Sequence, residues 1–272
     1  MRAKSAAIVH GGRRLNYILH PSTAAAPGLP LVLIHGFMAH AHWWDAVAPY
    51  LAENREVVAI DLGGMGDSAP QSPYRYATFV DDLRAVLDSL QIDRCAIAAH
   101  SFGGLIAGLF CAAHAARVAR FIAIDSNLGL FSRRANVDTS VDRRYYATLE
   151  AALSRFRLVP PSPGADLAIS DHIAQRSVVR LSEGWTWKFD PRIILDLAQD
   201  EKGLDLADIG VPTDYIYGQY SDIVTPALVE RVVASLPQLR HVISIPDCNH
   251  HIMVEQPIAL ITLIRLLLQR DD

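Results

Sequence analysis

Short apolar runs alternate along this chain with longer stretches in which apolar residues recur every three or four positions. Residues 6–10 and 15–19 are apolar-rich runs on either side of Gly11-Gly12, which predicts an N-terminal hairpin. The runs at 31–34, 57–60, 96–99, 121–124, 215–217 and 242–245 read as buried strands. The stretches at 76–90, 102–114, 227–236 and 258–269 read as helices. Strand–helix alternation implies an α/β architecture, a mostly parallel sheet with helices on both faces. Ligand chemistry in such sheets gathers at the carboxyl ends of the strands. The rhythm breaks between about 128 and 206, a segment rich in Arg and aromatics with the turn Pro160-Pro161-Ser162-Pro163-Gly164. We expect a helical cap there, 128–206, inserted into a core made of 1–127 and 207–272.

The most informative junction is Ala99-His100-Ser101-Phe102-Gly103. An apolar run from Cys95 enters it and the apolar stretch Leu105-Ile106-Ala107-Gly108-Leu109-Phe110 leaves it. Strand, sharp turn and helix put Ser101 at an apex, where a nucleophile elbow presents its hydroxyl above the sheet. The crowding of that turn demands small residues two before and two after the serine, and Ala99 and Gly103 supply them. Residues 95–116 carry no formal charge and are long enough to resemble a membrane span. A buried parallel strand followed by a buried helix accounts for them better, because such strands are apolar on both faces.

Composition narrows the picture. At 272 residues and 51% hydrophobic, the chain suits one α/β domain with an insertion. A net charge of −4 argues against a nucleic-acid partner. Cys95, Cys111 and Cys248 are odd in number and scattered, so they outline no disulfide framework. Cys248 reads as a small apolar filler. The N-terminus lacks the apolar stretch of a signal peptide, and we expect a cytoplasmic protein without a membrane span.

A serine hydroxyl is a weak nucleophile that needs a base, and the base needs an orienting acid. Two later segments offer them: Gly218-Gln219-Tyr220-Ser221-Asp222 after one strand, and Asp247-Cys248-Asn249-His250-His251 after the last. Asp125 ends another strand and is a rival acid; its bland alternative is a loop carboxylate capping the next turn.

Together with His35-Gly36-Phe37 and the run Asp61-Leu62-Gly63-Gly64-Met65-Gly66-Asp67-Ser68, these segments resemble the α/β-hydrolase superfamily, in its cap-bearing serine esterase and lactonase branch. The five motifs in order span nearly the whole chain outside the insertion. The resemblance implies the triad Ser101, Asp222 and His250 in that order, with His250 rather than His251 as base because Glu255 and Pro257 follow at the family's spacing. Asn249 stands where the family usually has Gly. In some family members the acid follows an earlier strand, which keeps Asp125 open. The resemblance also implies an oxyanion hole from the backbone N–H groups of Phe37 and Phe102.

The implied reaction is cofactor-independent hydrolysis of a small-molecule carboxylic ester or lactone through an acyl-enzyme. The alternatives are C–C bond hydrolysis or acyl transfer by the same triad, or a ligand receptor that turns over slowly. A serine nucleophile argues against the Asp-dependent dehalogenase and epoxide hydrolase chemistries of the family.

His35, His40 and His42 cluster in sequence but lack a His-Glu-x-x-His spacing, with Asp45 as the sole nearby carboxylate, so no metal is expected. Trp43 and Trp44 read as packing residues. In the insertion Trp185, Trp187 and Tyr145, with Tyr146 and Phe189, are candidates for an apolar acyl pocket, against the alternative that they pack the insertion onto the body. Arg133, Arg134, Arg143, Arg144, Arg155 and Arg157 read as a solvated face.

Overall fold

A computed structural model describes residues 3–129, 142–200 and 203–269. Its centre is an eight-stranded sheet in the order β1-β2-β4-β3-β5-β6-β9-β10. The strands are β1 (Lys4–His10), β2 (Arg13–His20), β3 (Gly28–Ile34), β4 (Arg55–Ile60), β5 (Cys95–His100), β6 (Val118–Ile124), β9 (Thr213–Gly218) and β10 (Leu239–Ile245). β1 and β2 form the hairpin expected at Gly11-Gly12, and β2 lies antiparallel to β4. Every pairing from β4 to β10 is parallel.

Side chains alternate across the central strands. Val32, Ile34, Ile97 and Ala99 face one apolar cluster, while Leu31, Leu33, Ala96 and Ala98 face another. The first cluster is covered by α1 (Tyr76–Ser89) and α2 (Phe102–Ala113). In α1 the buried Tyr76, Phe79, Leu83, Val86 and Leu87 recur at helical spacing, which is why the segment is a helix with one wet face. The second cluster is covered by the single turn Ala41–Trp44 and by the terminal helix Pro257–Leu268, through Trp44, Leu260, Ile264 and Leu268. Trp44 is fully buried and Trp43 nearly so, as packing residues.

The uncharged stretch that resembles a membrane span is divided between β5 and α2. Among the described residues no helix is long and apolar enough to cross a membrane. Cys95, Cys111 and Cys248 are free and buried.

Between β6 and β9 the chain leaves the sheet. The described part of this insertion holds the short helix Leu149–Leu153, then α3 (Leu167–Arg176), the hairpin β7 (Val178–Leu181) and β8 (Gly184–Trp187), and the helix Arg192–Leu197. The hairpin departs from an all-helical insertion. β-Branched Val178 and Val179 favour extended backbone, and Gly184 adopts a left-handed φ of 135° that side-chain-bearing residues avoid. Residues 188–190 fasten the insertion to the body. Gly66 N–H donates to the Lys188 carbonyl at 2.9 Å, and Asp190 N–H to the Gly64 carbonyl at 2.8 Å.

Candidate active site

The sheet order reverses at β3. From β3 the chain runs outward to β4, then returns to place β5 on the other side of β3. At such a switch point the loops leaving adjacent strands diverge and open a crevice. The loops here are residues 35–38 after β3 and the Ser101 turn after β5, and the pairing of Ile34 with Ala99 sets them level.

Ser101 has φ 52° and ψ −120°, a conformation that costs a non-glycine residue energy and must be held by its surroundings. Its N–H donates to the Ile124 carbonyl at 2.9 Å, and its carbonyl accepts from Ser126 Oγ at 2.7 Å. Gly103 lets α2 start against the end of β3: a Cβ there would stand 2.4 Å from the His35 carbonyl oxygen and 2.8 Å from that of Ile34. Gly36 allows the converse approach, since a Cβ on it would lie 3.2 Å from Ser101 Cβ and 3.0 Å from His100 Nδ1.

His250 Nε2 is 3.1 Å from Ser101 Oγ. Its Nδ1 is 2.7 Å from Asp125 Oδ1. A carboxylate only accepts, so Nδ1 carries the proton and Nε2 turns its lone pair to the serine hydroxyl. Asp125 is fully buried and three donors hold its carboxylate. These are His250 Nδ1, Ser221 Oγ at 2.6 Å and the Gly218 N–H at 2.8 Å.

Asp222, the acid expected from the sequence, is not at His250: it is exposed, and Asp125 occupies its place. Register supplies the reason. His100 pairs with Ile124, so Ser101 and Asp125 are the next residues on neighbouring strands. β9 lies one strand further out, and Asp222 comes four residues after its end. The loop after β9 serves the site through Ser221, which also accepts N–H groups from Ile223 and Val224. Ser221 escapes a reading of the sequence because its neighbour carries the charge.

His100 is a second residue that the sequence does not single out. Its Nε2 donates to the His250 carbonyl at 2.9 Å, and the two rings lie 4.5 Å apart. Burial, then the neighbouring His250 and His251, holds it well below the ordinary imidazole range, so it braces the His250 backbone as a neutral ring. His35 is likewise neutral through burial. Its Nδ1 donates to the Gly36 carbonyl and its Nε2 accepts the Leu62 N–H, which ties the 35–38 loop to the end of β4. Asp61 anchors the following run: its carboxylate accepts Ala41 N–H, Asp67 N–H and Asn16 Nδ2.

Phe102 follows Ser101 in the chain, and its ring lies 5.5 Å from that of Phe37, edge to face. Phe189 of the insertion joins them, 5.3 Å from Phe37. The other aromatic candidates sit differently. Trp187 makes its ring contacts with Tyr146 and Phe156, both in the insertion. Trp185 exchanges backbone hydrogen bonds with Tyr146, and Tyr145 is 40% exposed. Arg144, Arg155 and Arg157 are exposed and Arg143 donates to the Trp187 carbonyl, whereas Arg133 and Arg134 lie outside the described residues.

His251 bonds Ser162 Oγ through Nδ1 and packs beside Trp43. Burial, with help from His250, pushes its titration down to about 3. Unfolded, the same ring titrates near about 6.5. The unfolded chain therefore takes up this proton first as pH falls. The stability contribution is complete above about 6.5 and drains away toward 3. We expect wild type to lose about 2 kcal/mol more unfolding free energy than His251→Asn between pH 8 and pH 5. Urea titrations at the two pH values check this, and equal losses would show that the ring is not held neutral.

The sequence model of the alpha/beta hydrolase fold family matches residues 30–157. Human serine hydrolase-like protein is 32% identical over 149 residues, 48% of this chain and 73% of that protein. Human serine hydrolase-like protein 2 is 28% identical over 185 residues, and the match spans 61% of this chain and 58% of that protein. Among solved structures, the thioesterase domain from the curacin biosynthetic pathway superposes with a TM-score of 0.79 at 22% identity, covering 97% of this chain and 100% of that domain. Sheet order, elbow and these likenesses agree, and the chain belongs to the α/β-hydrolase superfamily.

Proposed function

We propose that this hydrolase is a serine hydrolase that cleaves a small-molecule carboxylic ester or lactone through an acyl-enzyme. The observation that carries the reading is the hydrogen-bonded line from Ser101 Oγ to His250 Nε2, at 3.1 Å, and from His250 Nδ1 to Asp125, at 2.7 Å. Ser101 Oγ attacks the carbonyl carbon and its proton passes to His250 Nε2. Asp125 fixes the tautomer and stabilises the imidazolium. The tetrahedral oxyanion sits between the backbone N–H groups of Phe37 and Phe102. Phe102 opens α2, where the helix end favours negative charge, and such donors each contribute about 10²–10³ in rate. As the C–O bond breaks, His250 returns the proton to the departing alkoxide; in a lactone the alcohol stays tethered to the acyl group. Water, deprotonated by His250, then releases the acid.

The edge-to-face rings of Phe37, Phe102 and Phe189 suit an apolar group on the substrate. Phe189 brings the insertion to the site, and we propose that the insertion, residues 128–206, acts as its cap.

A serine-directed fluorophosphonate tests the nucleophile. One equivalent should add to the chain, peptide mapping should place it on Ser101, and Ser101→Ala should abolish it together with turnover of short-chain aryl esters. Stoichiometric labelling that survives Ser101→Ala removes the nucleophile assignment. Labelling at Ser101 without turnover of any ester or lactone removes the substrate class instead.

A further inference from the structure

A second group of chemistry-bearing side chains gathers where the insertion meets the body. His42 lies in the single turn Ala41–Trp44, and Asp45 follows it. In such a turn residues three apart stack on one face, which brings His42 Nδ1 to 2.8 Å from Asp45 Oδ2. His172 comes from α3 of the insertion, and its Nε2 lies 2.7 Å from the same oxygen. The three ligand atoms all fall within 4.8 Å of one another.

The scaffold on both sides is rigid. Ile173, next to His172, is fully buried in the cluster that holds Trp43 and Trp44. At the far end of α3, Ser177 Oγ gives its proton to the Ile173 carbonyl, so it accepts from His40 Nε2 at 2.8 Å. His20 is a further buried imidazole, and its Nε2 has no hydrogen-bond partner among the described residues.

We propose that His42, Asp45 and His172 form a binding site for a divalent first-row transition metal ion, which staples the insertion to the body of the fold. Two imidazoles and one carboxylate are borderline ligands that suit Zn²⁺, Co²⁺ or Ni²⁺, whereas Mg²⁺ and Ca²⁺ require oxygen. Metal–nitrogen and metal–oxygen bonds of about 2.0–2.2 Å at tetrahedral angles set ligand atoms roughly 3.3 Å apart. The observed 2.7–2.8 Å contacts have to open by only about half an ångström. Each imidazole frees its metal-facing nitrogen by moving the proton to its other ring nitrogen, which makes no hydrogen bond among the described residues. The exposed flank of His172 leaves the remaining positions to water.

Zn²⁺ alone is the probe. Equilibrium dialysis with metal analysis on the full chain should show one equivalent bound, and Zn²⁺ should raise the melting temperature while Mg²⁺ does not. His42→Ala and His172→Ala should each weaken binding at least about tenfold and remove the Zn²⁺-dependent rise. His10→Ala, which breaks an unrelated surface His10–Asp81 pair, should leave both unchanged. Metal-free melting of each variant reports its folding, and His172→Asn offers a second, isosteric test at the more exposed ligand. No Zn²⁺ uptake by wild type, or uptake that His42→Ala and His172→Ala leave intact, overturns the site and leaves a hydrogen-bonded triad only.

Discussion

Asp125→Asn is expected to cut turnover by about 10⁴ with the fold intact, while Asp222→Asn leaves it within a few-fold of wild type. The asymmetry follows from geometry. Asp125 is fully buried and accepts from His250 Nδ1. An amide in its place offers an N–H₂ group, which favours the wrong imidazole tautomer and turns an N–H toward the serine oxygen. Asp222 is exposed, one residue beyond the Ser221 hydroxyl that reaches Asp125. Measuring kcat/KM for one activated ester across wild type and both variants decides the matter, with circular dichroism to confirm folding. A large loss in Asp222→Asn and a small one in Asp125→Asn would return the acid to the loop after β9.

The second large effect concerns packing. Gly103→Ala places a methyl group 2.4 Å from one backbone carbonyl and 2.8 Å from another. Backbone cannot swing aside as a flexible side chain does, so α2 has to retreat from β3. We expect about 3 kcal/mol of lost stability, the upper range of overpacking, and a melting temperature lower by roughly 6–12 °C. Because α2 begins at the residue after Ser101, its retreat also drags the Phe102 N–H, and turnover should fall further than the folded fraction does. An unchanged melting temperature would mean that the helix start has room the structure does not show.

The sheet is legible in the sequence because buried parallel strands are continuous apolar runs and their helices keep a 3.6-residue period, so 57–60 falls inside β4 and 76–90 on α1. The elbow is legible because its constraint is local: small residues on either side of one serine. The acid is not, since Asp125 and Asp222 both follow strands and the choice depends on which strand adjoins β5. The β7–β8 hairpin is hidden because four-residue strands carry too little alternation to separate from helix. His172 cannot be joined to Asp45 from sequence at all, since it stands 127 positions further along the chain and only the docking of α3 brings them together.

The positions of Ser101, Asp125 and His250 along the chain bear on how the proposed site is assembled. Ser101 and Asp125 sit on adjacent strands early in the chain, but His250 comes 149 residues after the first and 125 after the second. Closing loops that long is slow, because chain entropy is spent before any contact repays it. On that reasoning, a chain emerging from the ribosome is expected to form β3, β5 and β6 while Ser101 still lacks its imidazole partner. Under the proposed function, activity would then wait for β10 to dock on β9 and bring His250 to Ser101. Chains halted before that strand would be folded in part and inert, which makes activity during refolding a reporter of the final docking step rather than of sheet formation.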